Sequence, residues 1–320
     1  MDGNLLAPVH DGSTLYISVP TLPTSHSEEE LKPTFIALEW PSGTQKWTQT
    51  VDNEYPYQPI VDENSLYTLG YNATITVLDT GSGEITDSID LGYGWLDRGI
   101  HHGERLLGSA DSQIYALSTE SHTLDWEFES DREFVGGPAA SGNTLVFATQ
   151  YGGLIAIDTE DGSLTWKRSS IMGSRTSLSS PMIHDGSIFI SSGSQLGSFS
   201  LTDGSTNWTI PLGGDTTLSP TLTDQGIVVC TDNQVYCHAG DSGERKWESE
   251  LPGQPMSSGV GTPGAVFIPT KRNRIYKLDT QSGGVDDFIE AEAGADFYSL
   301  SVLGDHLFYS EKSTGIIYHT

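Results

Sequence analysis

Short segments in which apolar and polar residues alternate recur along the whole chain. Residues 138–147 and 181–190 are typical, since each begins at a proline, passes through a polar turn and continues as an alternating strand. Alternation with a period of two, bounded by Gly, Pro, Asn, Asp and Ser, is the pattern of half-buried strands joined by hairpins. No window of about twelve residues shows the 3.6-residue period of a helix. The pattern therefore predicts an all-β protein.

A longer phrase occurs seven times along the chain. In its fullest copy an apolar strand ends in Ile157-Asp158, Gly162 lies in the following turn, and Trp166 comes four residues after this glycine. The same turn position recurs at residues 43, 83, 122, 162, 204, 243 and 283. An upstream half with one hairpin precedes each copy and occurs an eighth time at residues 301–309. Each repeat thus predicts four strands, which we call a, b, c and d in chain order.

A four-stranded unit of this length cannot bury both faces alone, so neighbouring units have to stack. Radial stacking of such units gives a β-propeller. We predict a single propeller domain over residues 1–320, with eight four-stranded antiparallel blades, or seven as the alternative. The blades are expected at residues 7–50, 57–90, 97–130, 137–170, 180–212, 219–251 and 258–290, with a partial blade at 298–320.

The phrase at residues 155–166 resembles the pyrroloquinoline-quinone-like (PQQ-like) propeller repeat, and the resemblance covers residues 7–320. This family includes quinoprotein alcohol dehydrogenases, non-catalytic scaffolds for outer-membrane assembly and uncharacterised proteins of salt-loving archaea. The chain is closest in character to the last two groups. The resemblance implies that the glycine closes the c–d turn and that the following tryptophan docks on the neighbouring blade. It assigns this structural role to Trp47, Trp126, Trp166, Trp208 and Trp247.

Three positions depart from the repeat of this family. Asp87 and Asp287 stand where other copies have the tryptophan, and His122 stands where other copies have the turn glycine. We therefore expect the blades that carry these residues to dock less tightly.

The chain is strongly acidic, with 43 Asp and Glu against 15 Lys and Arg and a formal charge of −28. This balance argues against a nucleic-acid partner, because contacts to phosphates need a basic face. The carboxylates are spread over every segment, which favours a globular protein adapted to high salt. An ordinary acidic protein and a protein with a cationic partner are the alternatives.

No apolar run approaches the roughly 18 residues that a membrane-spanning helix needs. Residues 1–6 show neither the charged nor the apolar region of a signal peptide. The sequence as written therefore predicts a cytoplasmic protein, whereas a truncated N-terminus would allow an extracellular or cell-surface location.

The dehydrogenases that the resemblance suggests have a disulfide between adjacent cysteines, a calcium ion and a catalytic Asp. Here the two cysteines flank a hairpin turn, and a two-residue turn puts Cys230 opposite Val235 and Cys237 opposite Val228, too far apart for an easy disulfide. No nucleophile elbow, phosphate loop or zinc-protease motif is present. The sequence favours a protein without catalysis or cofactor and leaves the enzyme question open, with a dehydrogenase that uses PQQ and Ca²⁺ as the alternative.

Propellers usually bind their partners with the d–a and b–c loops. Some of these loops are rich in aromatic residues, namely Tyr55, Tyr57, Tyr93, Trp95, Phe134, Phe297 and Tyr298, and basic residues accompany them at Arg98, Arg132, Arg175, Lys271, Arg272 and Arg274. Exposed aromatic and Arg side chains carry much of the binding energy at interfaces. We predict a monomeric scaffold that presents this loop face to another protein. Cell-surface carbohydrate binding is a second alternative, and the competing interpretation is that the aromatics fold inward.

We expect the protein to lose structure when KCl is lowered from molar concentration to about 0.1 M, because its carboxylates then repel one another with less screening. Circular dichroism and thermal melting across this range measure the effect. Unchanged spectra and melting temperatures would remove the high-salt explanation and leave a cationic partner as the meaning of the acidity.

Overall fold

The computed structural model describes residues 8–19, 32–52, 58–70, 73–92, 96–173, 178–216, 218–271, 273–290, 297–304 and 306–311. In these ranges every regular element is a β-strand, which confirms the all-β prediction. The described strands form eight sheets, which we number in chain order. Contacts divide the chain into two compact units, Met1–Ser130 with Tyr298–Thr320 (unit 1) and Asp131–Phe297 (unit 2), and each is described separately.

Unit 1 begins with three sheets of four strands, each strand antiparallel to the next. Sheet 1 contains β1 (Val9–His10), β2 (Thr14–Val19), β3 (Thr34–Glu39) and β4 (Gln45–Thr50). Sheet 2 contains β5 (Ile60–Val61), β6 (Ser65–Leu69), β7 (Thr74–Asp79) and β8 (Ile85–Asp90). Sheet 3 contains β9 (Leu96–His102), β10 (Arg105–Ala110), β11 (Gln113–Ser118) and β12 (Leu124–Glu129).

Unit 2 contains sheets 4 to 7. Sheet 4 contains β13 (Phe134–Ser141), β14 (Thr144–Thr149), β15 (Gly153–Asp158) and β16 (Leu164–Arg168), and sheet 5 contains β17 (Met182–His184), β18 (Ser187–Ser200) and β19 (Thr206–Thr216). Sheet 6 contains β20 (Thr221–Leu222), β21 (Ile227–Cys230), β22 (Gln234–His238) and β23 (Arg245–Glu250). Sheet 7 contains β24 (Val260–Thr262), β25 (Ala265–Thr270), β26 (Arg274–Asp279) and β27 (Val285–Glu290). Sheet 8, β28 (Phe297–Leu303) and β29 (His306–Glu311), belongs to unit 1 from Tyr298 onward, and its expected third strand lies outside the described residues.

Sheet 5 contains the predicted four strands. Its b and c segments both lie within β18, whose first residues pair with β17 and whose later residues pair with β19. The Leu201 N–H donates a 2.9 Å hydrogen bond to the Gly186 carbonyl, as the Thr159 N–H does to the Asn143 carbonyl in sheet 4, so the c segment folds back on the b segment. The turn between them includes Gly193, whose φ of +52° is a left-handed conformation that glycine adopts without the Cβ penalty.

Facing sheets pack their apolar side chains against each other. In unit 2, the core between sheets 4 and 5 includes Val146, Leu154, Trp166, Ile188 and Phe199. In unit 1, the core between sheets 1 and 2 includes Tyr16, Phe35, Trp47, Leu66 and Leu78. Each fully buried side chain of this size contributes about 1.5–3 kcal/mol. A single sheet therefore gains its stability by stacking on its neighbour.

No helix in the described part of the chain has the length and hydropathy needed to cross a membrane.

The repeated tryptophan joins one sheet to the next. In β4, Trp47 is the one buried side chain, and its indole N–H donates a 2.8 Å hydrogen bond to the carbonyl of Thr80 in the c–d turn of sheet 2. The ring lies so close to Gly83 that a Cβ at this glycine would be 2.5 Å from Trp47. Gly83 also has a φ of +75°. The turn therefore requires glycine for two reasons. Its backbone has a left-handed conformation, and the Trp47 ring that covers it leaves no room for a Cβ.

The same contact recurs three times in unit 2. The donor and acceptor pairs are Trp166 with Leu201, Trp208 with Gly240 and Trp247 with Thr280, at 2.9, 3.1 and 2.7 Å. The glycines beneath the three rings are Gly204, Gly243 and Gly283. Trp126 of sheet 3 is likewise buried, at 9% exposure.

Sheets 2 and 3 meet through a different pair. His122 replaces the turn glycine and still adopts a left-handed φ of +55°. Its Nδ1 lies 3.3 Å from a carboxylate oxygen of Asp87, the residue that replaces the tryptophan. The hydroxyl of Tyr67 lies 3.4 Å from the carbonyl of Thr119, which is the position that accepts an indole bond in other sheets. A polar contact thus stands at this junction where a tryptophan and a glycine meet elsewhere.

Replacing Gly83 with Ala should destabilise the protein more than replacing Gly43 with Ala. Both glycines have similar φ angles, +75° and +70°, so both variants are expected to lose about 1–2 kcal/mol through backbone strain. Nothing lies within 4 Å of a Cβ at Gly43, whereas Trp47 must move in the Gly83→Ala protein, which adds about 1–3 kcal/mol. Urea unfolding measures both, and equal losses would show that the ring does not depend on the bare glycine.

One core position of sheet 6 is occupied by a histidine. His238 stands in β22 where other c strands have Leu38, Leu78, Leu117 and Leu278. It is 4% exposed, and its Nδ1 lies 2.9 Å from the carbonyl of Gly243. Burial lowers the pKa of His238 below the ordinary 6.5, because the charged imidazolium is poorly solvated there. The side chain is therefore neutral in the folded protein at neutral pH.

This burial predicts a loss of stability in mild acid that a His238→Leu variant should lack. Below pH 6.5 the unfolded chain binds a proton that the folded protein does not bind until a lower pH, so stability falls there by up to about 1.4 kcal/mol per pH unit. Urea midpoints measured from pH 8 to 5 should fall less steeply for the leucine variant. A His101→Leu variant, changed at an exposed position, is the control and should keep the wild-type slope. Parallel slopes for all three proteins would contradict the prediction.

Candidate functional site

We call the end of the sheets where strand b turns into strand c, and where strand d leads to the next strand a, the loop edge. Several residues predicted to form a binding surface there lie outside the described residues, namely Tyr55, Tyr57, Tyr93, Trp95, Arg175 and Arg272. The backbone of Phe297 and Tyr298 forms the start of β28, and their side chains also lie outside the description. The structure therefore places the side chains of Arg98, Arg132, Phe134, Lys271 and Arg274.

Phe134 is buried, whereas the prediction of a partner-binding residue expects an exposed side chain. It is the first residue of β13, is 9% exposed, and packs its ring 4.8 Å from the ring of Phe147. The side chain points to the core because Phe134 pairs with Thr149 at the end of the sheet, inside the strand register and not in the preceding loop.

Arg274 and Arg98, two of the predicted basic residues, differ in whether neighbouring side chains already engage their charge. The guanidinium of Arg274 lies 4.3 Å from the ring centroid of Phe288 and donates a 3.2 Å hydrogen bond to Glu290 in the outer strand of sheet 7. Interactions with Tyr276 and Glu290 raise the pKa of Arg274. Its positive charge is therefore already engaged by residues of its own sheet. Arg98, in β9 of unit 1, is exposed.

Arg132 lies beside an aromatic residue that the sequence did not single out. Tyr151 is 63% exposed in the b–c turn of sheet 4, and the Arg132 guanidinium lies 6.0 Å from its ring centroid. Arg132 also donates hydrogen bonds to the carbonyls of Ser169, at 3.2 Å, and Gln150, at 3.5 Å. These bonds hold the guanidinium next to the exposed ring. Tyr151 and Arg132 form what we call the Tyr151 patch.

The backbone at Tyr151 is unusual for an aromatic residue. Its φ is +65°, and the turn continues through Gly152 at +82°. Tight b–c turns of other sheets have Asp111 and Asn273 in the left-handed conformation, which is the type of residue that tolerates it. A bulky side chain there costs free energy, and such strain is found most often at functional positions. The signal was present in the sequence, as a tyrosine at a turn position that normally takes Asn, Asp or Gly.

Acidic groups border the Tyr151 patch. Lys167 pairs with Asp131, and this contact lowers the pKa of the Asp131 carboxyl group. Gln150 donates a hydrogen bond to the carboxylate of Glu133. Arg132 therefore lies near two carboxylates, and one of them is already paired with Lys167. The exposed ring of Tyr151 and the guanidinium beside it suit a partner that offers both an apolar face and a hydrogen-bond acceptor.

A cleft of about 460 Å³ opens at the loop edge among sheets 5, 6 and 7 of unit 2. Its lining includes Asp215, Leu218, Asp232, Met256 and the predicted residue Lys271. A more open cleft of about 640 Å³ shares Asp232 and Lys271 and extends past Pro252. Sequence reasoning missed this cleft because the d–a loops around it contain no aromatic residues.

A short hydrogen-bond chain shapes the wall of this cleft. The ammonium of Lys271 donates to the amide oxygen of Gln254 at 2.7 Å, and the amide nitrogen of Gln254 donates to Asp232 at 3.1 Å. The backbone of the same loop is held against β25, since the Met256 N–H donates to the Pro269 carbonyl at 2.9 Å. The cleft therefore has a fixed polar wall opposite its apolar residues.

The cysteines do not form the site that the dehydrogenase alternative needs. Cys230 pairs with Val235 and Cys237 with Val228, which is the register predicted from the turn. Both are free thiols in the core, and burial raises the pKa of Cys230 to about 12 and that of Cys237 to about 11. Among the described residues no three His, Cys, Asp or Glu side chains are grouped so that they could hold a metal ion. Cys230 and Cys237 are therefore buried thiols of the core of sheet 6.

Replacing Tyr151 with Asn should stabilise the protein, because Asn tolerates the left-handed turn better than Tyr. The expected gain is about 0.5–1 kcal/mol in the free energy of unfolding, measured by urea denaturation. Asp111→Asn is the control, since its turn position in sheet 3 has a φ of +51° and already carries a residue that tolerates it. A Tyr151→Asn protein that is less stable than wild type would show that the ring stabilises its own turn.

Comparisons with known proteins agree with this architecture. Over 190 residues the chain is 24% identical to the outer membrane protein assembly factor BamB of Francisella salina. The match covers 58% of this chain and 34% of the length of that relative.

Solved structures show the same fold. The crystal structure of BamB from Moraxella catarrhalis has a TM-score of 0.73 at 16% identity and covers 94% of this chain and 97% of that one. The computationally designed protein Ika8 has a TM-score of 0.82 at 10% identity and covers 99% of this chain and 96% of that one. These likenesses confirm a β-propeller fold built from antiparallel four-stranded sheets.

A family model described as outer membrane protein assembly factor BamB matches residues 93–286. This match confirms the PQQ-like repeat that the recurring glycine and tryptophan indicate. Since the matched region covers more than half of the 320 residues, the chain belongs to the family described as outer membrane protein assembly factor BamB.

Proposed function

We propose that this protein is a non-catalytic scaffold that holds another protein at the loop edge of unit 2. The Tyr151 patch would contact the partner through Tyr151 and Arg132, and the cleft at Lys271 would receive a segment of the same partner. The observation that carries this proposal is the exposed ring of Tyr151, held in a left-handed turn beside a fixed arginine.

The geometry of the patch supports a protein partner. Tyr and Arg are enriched among the residues that dominate binding energy in protein interfaces. Tyr151 lies on a three-residue hairpin turn, so little conformational freedom remains to be lost when a partner binds its ring. The clefts of about 460 and 640 Å³ at Lys271 lie at the loop edge of the same unit and are large enough to accept side chains of the partner.

Family membership supports the same proposal. The family description and the Francisella relative both name an assembly factor, and such a factor acts on other proteins. The match lies in the repeat region, residues 93–286, which includes the Tyr151 patch and the cleft at Lys271. We therefore place the partner of this chain among proteins and not among small molecules.

The acidic surface is part of this proposal. The outer strands carry many of the exposed carboxylates, and the described ion pairs, such as Lys32 with Asp52, lie at the surface. Surface pairs of this kind contribute little stability and are screened by salt. The proposed role of the remaining carboxylates is to keep the scaffold hydrated and monomeric at high salt.

Site-specific photocrosslinking in the native cells tests the proposal. Benzoylphenylalanine placed at Tyr151 should give one defined protein adduct, and an additional Arg132→Ala change should weaken it. The matched control is benzoylphenylalanine at Leu164, which is 48% exposed in the outer strand of the same sheet and should give no adduct.

Two results would overturn the proposal. Equal adducts from positions 151 and 164, or none from position 151, would remove the loop edge of unit 2 as the partner site. Stoichiometric uptake of PQQ with Ca²⁺ by the purified protein, together with dye-coupled oxidation of an alcohol, would replace the scaffold by the dehydrogenase alternative.

A further inference from the structure

A third cleft in unit 2 lies at the opposite end of the sheets from the two clefts at Lys271, between the turns of sheets 5 and 6. Its volume is about 360 Å³. Its walls come from the a–b turn of sheet 5 with Asp185, the a–b turn of sheet 6 with Asp224, and the c–d turn of sheet 6 with Gly240 and Asp241. None of these residues belongs to the Tyr151 patch or to the cleft at Lys271.

The cleft lies where sheet 6 lacks a side chain that other sheets have. Gly240 stands where the other c–d turns have Trp40, Thr80, Thr119, Thr159, Leu201 and Thr280. Its carbonyl still accepts the indole bond from Trp208 at 3.1 Å, so the backbone keeps the position found in other sheets. A Cβ at Gly240 would lie 3.4 Å from the ring of Phe189, in ordinary contact distance. The space above Phe189 is therefore due to the missing side chain and not to a shift of the turn.

The neighbouring junction shows what is missing. There, Thr280 of sheet 7 donates a 2.7 Å hydrogen bond to the Asp224 carboxylate in the a–b turn of sheet 6. The equivalent carboxylate in sheet 5 is Asp185, and the residue equivalent to Thr280 is Gly240, which has no hydroxyl group to donate. Asp185 is 87% exposed and lies 3.2 Å from the ring nitrogen of its neighbour His184. An acceptor is thus left at the rim of the cleft, whereas the junction of sheets 6 and 7 supplies a donor to the equivalent carboxylate.

The chemistry of the cleft is apolar below and negative at the rim. Phe189 and Ile227 are buried beneath it, and Leu222 beside them is 38% exposed. The rim carries three carboxylates, Asp185, Asp224 and Asp241, together with His184 and one ammonium, that of Lys246, which donates to the carbonyl of Gln225. The hydrogen bond from Thr280 lowers the pKa of Asp224, so this group is ionised at neutral pH.

We propose that this cleft binds an arginine side chain presented by a partner protein. The aliphatic stem of the arginine would lie over Leu222 and the opening above Phe189, and its guanidinium would reach Asp185 and Asp241 at the rim. Arginine fits better than lysine, because its planar group donates to two acceptors at once and is less strongly hydrated. The three carboxylates against one engaged ammonium supply the charge complementarity.

Fluorine NMR can test this site with short peptides. The protein is labelled with 5-fluorotryptophan, and the Trp208 signal, assigned with a Trp208→Phe variant, reports on the cleft because its indole bonds to Gly240. At the lowest KCl concentration that keeps the protein folded, acetyl-Gly-Arg-Gly-amide should shift this signal in a saturable way. The same peptide with citrulline, which has the shape of arginine without its charge, should not. The lysine peptide should bind more weakly than the arginine peptide.

Three variants locate the binding. Gly240→Thr restores the residue of other repeats, does not strain the backbone, and should abolish the shift. Asp241→Asn should weaken binding about fivefold to tenfold, as expected for loss of a charge-assisted hydrogen bond. Glu160→Gln removes the same charge at the same turn position in sheet 4 and should leave binding unchanged.

The proposal would be overturned if citrulline or lysine bound as well as arginine, if no peptide shifted the Trp208 signal, or if the Gly240→Thr protein still bound. Circular dichroism and melting of the Gly240→Thr protein show whether it is folded, and Asp241→Asn, a change at an exposed position, provides the second variant. Tyr151→Asn should leave this titration unchanged. A failure of the arginine site can therefore be told apart from a failure of the scaffold proposal.

Discussion

The contact between a tryptophan ring and the glycine of the next turn is the interaction on which each unit depends. A four-stranded sheet, with 17 to 25 residues in its strands, buries too little surface to be stable alone, so its free energy of folding comes from its neighbour. The ring covers the neighbour's turn and its N–H bonds to the carbonyl three residues before the glycine, as Trp47 does with Thr80 and Gly83. This contact combines burial of the apolar ring with a directional hydrogen bond. The burial stabilises the packing of the two sheets, and the hydrogen bond determines where one sheet lies on the next.

Because the contact between tryptophan and glycine holds the sheets together, the residues on the rest of the surface can differ from one sheet to another. The outer strands carry one buried tryptophan and otherwise exposed side chains, as in β4 and β23, so they can carry acidic residues without disturbing the core. The loops at the other end take no part in the docking contact. They can therefore hold an exposed tyrosine in one sheet and a cleft in the next while the sheets themselves stay alike.

The informative positions are those where one repeat breaks the rule of the others. His122 and Asp87 meet where a glycine and a tryptophan meet elsewhere, and they keep the turn conformation through a polar contact. Tyr151 occupies a left-handed position that suits Asn or Gly, and Gly240 leaves a space that a threonine fills in other sheets. A repeat protein supplies its own reference, because each exception can be compared with equivalent positions in the same chain.

The sequence by itself determined the strands, the repeat, the turn glycines, the docking tryptophans and the register at Cys230 and Cys237, because alternation and turn chemistry are local properties of the chain. It did not determine which loop aromatics are exposed, since Phe134 is buried against Phe147 and Tyr151 lies at the surface. Nor did it reveal the clefts at Lys271 and Gly240. These features depend on what packs against each residue from neighbouring strands and sheets, and only the tertiary structure brings those groups together.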